Sequence, residues 1–240
     1  MNGILAAILA AVLFGASTPL AKLLLGSIPA QMLAGLLYLG SGLGLGTLAL
    51  ARRAPLPLPG ERLWLAGAVI FGGVLGPVLL MAGLASTPAS TSSLLLNLEG
   101  VFTALLAWFV FRENFDARVA LGMLSIVLGG VLLSWSGDRL ALAPGALLVA
   151  AACLCWAVDN NLTQKVSAGD PLQIAAIKGG AAGAVNLAIA WALGHAVWPG
   201  APRVAAAMGV GLAGYGVSLA LFVLALRHLG TARTGAYFSL

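Results

Sequence analysis

Ionisable side chains inside long apolar runs are the residues of this sequence that could do chemistry. Asp159, Lys178 and Glu99 each lie well within a stretch long enough to cross a bilayer. A charge at mid-membrane costs roughly 2.5–3.5 kcal/mol on insertion scales, so such groups mark binding, ion-pairing or proton-transfer sites. Asp159 sits seven residues before the end of its run and Lys178 seven residues after the start of the next. At about 1.5 Å of rise per residue both are roughly 10 Å deep, and equal depth on consecutive antiparallel helices predicts an ion pair. The pair either fixes the hairpin or closes the floor of a central cavity until a solute or a proton competes for it. Glu99, near the middle of its run, is either a proton-coupling carboxylate or a structural acceptor for hydroxyls such as Thr103 or Ser93.

Asp159-Asn160-Asn161 is unusually polar for a helix interior. Ser17-Thr18-Pro19 occupies a similar depth in the first run, where proline lacks a backbone donor and frees the Gly15 carbonyl. Both segments read either as a binding site or as polar glue between helices. Phe14, Tyr38, Trp156 and Tyr215 are mid-span aromatics that line a cavity or pack the core and lipid face. The spacings Gly40/Gly44, Gly42/Gly46, Gly72/Gly76 and Gly179/Gly183 permit close helix approach, and Gly73 with Pro77 forms a candidate hinge. Cys153 and Cys155, at i and i+2, point to different sides of a helix and read as small apolar packing residues. The only histidines are His195 and His228, in separate loops, and no catalytic or metal-binding pattern joins them; neither a cofactor nor a metal is expected.

The elements that must hold these residues follow from composition. Of the 240 residues, 61% are apolar and 8% charged, against about 25% charged in soluble domains, and the mean hydropathy is +1.05. Hydrocarbon must therefore face most of the surface. Windows of about 20 apolar residues give helices at 3–25, 30–51, 64–85, 90–111, 117–136, 143–166, 171–194 and 204–226, with a ninth beginning near Thr231. The first is too long for a signal peptide and has no basic lead-in. Pro- and Gly-containing turns separate them, and Trp64, Trp108, Trp135, Trp191 and Trp198 lie near their ends, where aromatic belts form. With the N-terminus in the cytoplasm, the inner loops and flanks hold Arg52, Arg53, Arg62, Arg112, Arg118, Lys165, Arg227 and Arg233, while Lys22, Arg139 and Arg203 lie outside; the positive-inside rule favours that orientation. Lys22 snorkels to its interface, and Glu113 is expected in a loop ion cluster with Arg112 and Arg118. The net charge of +5 is scattered, with no basic stripe or aromatic platform, so no nucleic-acid partner is expected.

Sliding the sequence by 142 residues places Ile28-Pro29-Ala30-Gln31 on Asp170-Pro171-Leu172-Gln173, Phe14 on Trp156, Gly67 on Gly209, Gly72 on Gly214 and Leu84 on Leu226. Spans and loops match without a gap. Five spans per unit is odd, so the second copy must lie inverted, and positive charge shifts accordingly: the 52–62 loop has three arginines and the 194–204 counterpart one. The fold expected is an all-α integral membrane protein built as an inverted repeat of five-helix bundles, with residues 1–140 the first unit and 141–240 the second. By the shift, Leu240 matches Leu98, so ten spans are expected of the complete repeat and eight and part of a ninth are present. Inverted repeats around a midplane site are a transporter architecture.

Leu13-Phe14-Gly15-Ala16-Ser17-Thr18-Pro19 stands in the first span. Ala89-Ser90-Thr91-Ser92-Ser93-Leu94-Leu95-Leu96-Asn97-Leu98-Glu99, Leu105-Leu106-Ala107-Trp108 and Arg112-Glu113 stand around the fourth, and Gly230-Thr231-Ala232-Arg233-Thr234-Gly235-Ala236 repeats the start of that pattern. In these motifs the sequence resembles the EamA-type transporters of the drug/metabolite transporter superfamily. Gly100 follows Glu99 where the family commonly has proline. The resemblance implies ten helices in two inverted repeats and export of amino acids or other small metabolites across the bacterial inner membrane. The residues expected to bind solute or couple protons are Phe14, Ser17, Thr18, Tyr38, Glu99, Trp156, Asp159, Asn160, Lys178 and Tyr215. A small solute, the lipid bilayer and, through Glu99 or Asp159, protons are the expected partners, in a monomer or homodimer. An intramembrane enzyme acting on lipid-linked substrates is the alternative, and a helical scaffold subunit a third reading.

Overall fold

The structure is a computed structural model that describes residues 2–84, 86–87, 89–114, 116–134 and 144–238. The described residues form nine helical elements in order. They are α1 (Gly3–Leu25), α2 (Ala30–Ala51), α3 (Pro59–Leu84), α4 in two pieces (Ala89–Leu96 and Leu98–Phe109), α5 (Ala117–Ser134), α6 (Pro144–Val166), α7 (Pro171–Ala192), α8 (Ala201–Leu229) and α9 (Thr231–Phe238). Among the described residues there is no strand. Six of the helices, α1, α2, α3, α6, α7 and α8, are long and apolar enough to cross a membrane, and the chain is an all-α multi-pass membrane protein. Local chemistry sets the starts. Asn2 Oδ1 accepts from Ile4 N ahead of α1, and Asp170 Oδ1 accepts from Gln173 N with Pro171 at the first helical position of α7, both satisfying end donors that a helix leaves open.

The structure departs from the expected spans in three places. The third begins earlier, because Pro59–Glu61 forms a 3-10 turn in which Glu61 accepts from Leu58 N. The fourth is broken at Asn97 rather than continuous. The eighth runs as one body from Ala201 to Leu229. Trp135, expected in an aromatic belt, lies outside the described residues, whereas Trp191 and Trp198 are strongly exposed.

Inside α3 and α8 the chain widens into π geometry, at Val69–Leu75 and Leu212–Val217. The 142-residue shift lays one segment over the other. Pro77 explains the first: it has no N–H for the carbonyls of Gly72 or Gly73. No proline follows the second, which instead runs through Gly214 and Gly216. Such insertions are rare and concentrate where helices bend or bind.

Packing runs mainly between the two halves of the chain. α2 packs along α7, α1 on α8, and α6 on α3 and α4. The α2 seam is lined by glycine. Gly42 lies on the Gly180 backbone, Gly40 on that of Met208, Gly211 on that of Leu37, and a Cβ at Gly183 would come 2.6 Å from Leu39 N. Of the expected close-packing glycines, Gly46 alone meets nothing within 4 Å. Lipid is as apolar as leucine, so these helices are held by van der Waals contact that small residues allow, together with interhelical hydrogen bonds. Ile28, Met32, Leu33, Leu36 and Leu37 of the α1–α2 turn and α2 complete the seam against Ala190 and Ala207.

One end of the bundle gathers the loops after α2, α4, α6 and α8. Arg227 Nε donates to the Ser167 carbonyl at 2.6 Å and its Nη2 to the Gly169 carbonyl, closing the end of α6. Asp116 accepts from Arg233 Nε at 2.8 Å and from Arg118 N at 3.0 Å. Glu113 does not join an ion cluster with Arg112 and Arg118. Its carboxylate accepts from Thr231 N, Thr231 Oγ1 and Ala232 N, because the N-terminus of α9 offers unsatisfied donors and partial positive charge at that spot.

Replacing Gly211 with leucine is expected to lower the detergent melting temperature by at least 5 °C, with Gly46→Leu as the neutral control, read by scanning fluorimetry. The hydrogen bond from Arg233 holds the Asp116 carboxyl below its usual value of 3.8. A depressed carboxylate contributes stability above the unfolded-state value and loses it as pH falls through the folded one. The melting difference between wild type and Asp116→Asn is therefore expected to be the same at pH 7 and pH 5 and to shrink only below about pH 4.

Candidate functional site

Three consecutive residues of α6 reach two neighbouring helices, α7 and α4, because successive side chains on a helix turn by about 100°. Asp159 Oδ1 pairs with Lys178 Nζ of α7 at 2.5 Å. Thr163, one turn along α6, donates to the same Oδ1 and accepts from the same Nζ, each at 2.9 Å. Asp159 and Lys178 are 9% and 6% exposed. Asn160 Nδ2 donates to Glu99 Oε1 at 3.1 Å and to Thr103 Oγ1 at 3.2 Å across to α4. Asn161 Nδ2 donates to the carbonyls of Thr103 and Ala157. The expected ion pair is present, with Thr163 as an added member. Glu99 takes its hydrogen bond from Asn160 rather than from Thr103, and the Ser93 side chain lies outside the described residues.

The Asp159–Lys178 pair does not simply staple a tightly packed hairpin. α6 packs chiefly on α3 and α4, so long side chains rather than backbone contact join α6 to α7. α3 closes the third side. A Cβ at Gly72 would strike the Asp159 carboxylate, so only glycine lets the acid sit there. The same approach recurs at Gly214, which admits Ser17.

The carbonyls that Pro77 cannot serve are taken by side chains. Gly72 O accepts from Trp156 Nε1 at 3.1 Å and from the Tyr38 hydroxyl at 3.4 Å. Gly73 O accepts from Asn186 Nδ2 at 2.7 Å, and Asn186 Oδ1 accepts from Gln31 Nε2 at 2.6 Å. Asn186, Gln31 and Thr163 were not among the residues expected from sequence. Asn186, a buried amide in an otherwise apolar stretch of α7, was the available signal.

Tyr38 also stands edge-on to Tyr215, with ring centres 5.2 Å apart, and Tyr215 to Phe14 at 5.6 Å. Phe14 meets Phe238 at 5.5 Å. The aromatics thus divide, with Phe14, Tyr38 and Tyr215 in one cluster and Trp156 across the Gly72 carbonyl from it. Ser17 and Thr18 turn back on their own helix, both donating to the Phe14 carbonyl; Ser17 is buried and Thr18 exposed. Tyr38, Glu99, Trp156, Asp159, Asn160 and Lys178 form one polar centre. Phe14, Ser17 and Tyr215 lie beside it, and Thr18 faces away.

A polytopic helical membrane protein with hydrogen-bonded charge and amide groups in its interior is the class these features define. The chain belongs to the EamA-like transporter family, whose pattern it matches over residues 1–135. It is 34% identical over 173 residues to a protein of Methanothermobacter thermautotrophicus named an uncharacterized transporter, covering 70% of this chain and 50% of that one. It is 31% identical over 87 residues to a probable amino-acid metabolite efflux pump of Salmonella typhimurium, covering 35% of this chain and 29% of the other. The chain therefore spans half or less of the length of these curated relatives. A solved crystal structure shares its fold with a TM-score of 0.80 at 22% identity, covering 99% of this chain and 85% of that one.

Removing one partner of a buried ion pair strands the other charge, at a typical cost of 3–5 kcal/mol, whereas replacing both can be nearly neutral. Asp159→Asn or Lys178→Met alone is expected to destabilise the protein by about that much. The double variant should recover most of the loss, as measured by reversible unfolding in mixed micelles.

Proposed function

We propose that this chain acts as a secondary transporter that exports small polar metabolites, amino acids or related solutes, across a bacterial inner membrane by alternating access. Residues 1–140 and 141–240 act as two inverted units, and the N-terminus lies in the cytoplasm. The observation that carries this reading is the polar centre held between helices of both units, beside two π segments that the 142-residue shift superposes. Exchange of the units also relates the contacts: α1 lies on α8 as α6 lies on α3, and α2 meets α7. Discontinuous helices around a midplane site suit a protein that opens alternately to each side.

The chemistry fits a zwitterionic or amphipathic solute. Lys178 attracts a carboxylate, Asp159 an ammonium group, and their mutual bond is the ground state that solute displaces. Trp156 and Tyr38 present aromatic faces with their polar tips already anchored on Gly72. Where Tyr38 and Tyr215 fill the α1–α2–α8 side, the shifted positions are Gly180 and Gly73. A Cβ at Gly180 would meet nothing within 4 Å, whereas one at Gly73 would meet Ala182 at 2.6 Å, so the open space is at Gly180. Asn160 ties Glu99 to this region, so that a proton taken up by Glu99 loosens α4 from α6 and couples export to proton entry.

Flux of an amino-acid and metabolite panel in proteoliposomes, using the full-length protein, tests this. Wild type is expected to move at least one member, Asp159→Asn and Gly180→Tyr to lose about tenfold or more, and Glu99→Gln to flatten the pH dependence. Absence of flux for the panel and for lipid-linked probes alike in wild type, or unchanged flux in all three variants, overturns it. Turnover of a lipid-linked probe without solute flux favours the enzyme alternative.

A further inference from the structure

A second set of hydrogen bonds between distant segments lies at the end that gathers the α4–α5, α6–α7 and α8–α9 loops. Glu113, in the loop after α4, accepts from Thr231 N at 2.8 Å and from Thr231 Oγ1 at 2.6 Å, and also from Ala232 N. Three donors converge on one carboxylate, and hydrogen bonds to a charged group are about twice as strong as neutral ones. Gly230 makes the approach possible in two ways. Its backbone is left-handed, with φ at +78°, which other residues rarely adopt. Its missing Cβ would stand 3.1 Å from Glu113 Oε2. Three residues on, Asp116 pairs with Arg233. Glu113, Asp116, Ala232 and Arg233 line one cleft of about 350 Å³, with Arg112, Asn114 and Gln164. Both bonds join residues 112–116 to residues 231–233, so both cross between the units proposed above and lie in reach of water.

We propose that Glu113 and the Asp116–Arg233 pair form a latch that closes this end of the protein, with the α9 N-terminus as its catch. This inference rests on the two-unit transporter reading. Contacts that bridge the units at one end must part before that end can open, and a conformational equilibrium shifts by the differential strength of such contacts. Gly230 serves as the seat of the latch, and the loop after α4 as its arm. By the charge asymmetry of the loops this end faces the cytoplasm, so the closed latch denies solute entry from inside.

The test uses full-length protein in sealed vesicles of both orientations, with Asn160→Cys as reporter in a Cys153→Ala, Cys155→Ala background that is common to every variant compared. Labelling by a membrane-impermeant maleimide is timed from each face, and flux of the wild type is measured in parallel. Glu113→Gln and Asp116→Asn are each expected to raise the labelling rate from the latch side about tenfold and to lower it from the other side. The charge swap Asp116→Arg with Arg233→Asp should return both rates towards the unmodified values. Asp116→Cys with Arg233→Cys in the Cys153→Ala, Cys155→Ala background, cross-linked by a bismaleimide, should stop flux in a protein whose fold is unchanged by circular dichroism, which keeps the test valid if Glu113→Gln fails to fold. Unaltered labelling from both faces, or equal acceleration from both, overturns the latch, as does undiminished flux after cross-linking. Failure of the transporter reading is distinguishable, because the wild type would then carry no flux.

Discussion

Hydrocarbon offers no hydrogen-bond partners, and each polar group left unmatched within it costs several kcal/mol. The sharpest instance here is the missing N–H of Pro77. Its absence leaves the carbonyls of Gly72 and Gly73 to be met by side chains, and the donors come from three other helices: Tyr38 on α2, Trp156 on α6 and Asn186 on α7. One local defect thereby fixes where three helices must stand. Because Trp156 is anchored, Asp159 one turn along α6 falls against Gly72, and from there reaches Lys178. The polar centre is a consequence of that placement as much as of the charges themselves.

Two kinds of cohesion divide the interior between them. Along α2 and α7, glycines bring backbones together and the contact is wide. Between α6 and α7 the backbones stand apart, and a lysine, an aspartate and a threonine span the distance. The first kind suits a rigid axis, since packed cores do not deform gradually. The second suits a region where partners are exchanged, because a buried ion pair repays its desolvation only with complete satisfaction and a competing solute can supply equivalent bonds. The π segments lie against both kinds, which places the bendable parts of α3 and α8 next to the axis and next to the site.

Much of this was legible in the sequence, and what was not has a common cause. Span positions follow from hydropathy because the bilayer imposes a length. The Asp159–Lys178 pair followed from equal depth, which is a one-dimensional quantity. The partner of Glu99 did not follow, since choosing Asn160 over a nearby hydroxyl needs the knowledge that α6 packs on α4. The roles of Gln31 and Asn186 were hidden for the same reason, and so was the bond from Glu113 to α9, whose donors lie more than a hundred residues away. Pro77 hinted at irregular geometry in α3, but Leu212–Val217 widens with no proline to announce it. The break at Asn97 likewise has no Pro or Gly to mark it. Ser17 and Thr18 drew notice as polar residues in an apolar helix, and both prove to satisfy themselves on the Phe14 carbonyl, the usual resting place of hydroxyls in transmembrane helices.

The interleaved packing bears on how the molecule is made. Helices leave the ribosome in order, so α1 to α3 enter the bilayer while their chief contacts are still unsynthesised. During that interval the carbonyls of Gly72 and Gly73 lack Trp156 and Asn186 as donors, and the glycine faces of α2 await α7. The first half of the chain therefore reaches its final packing only after α6 and α7 have been made.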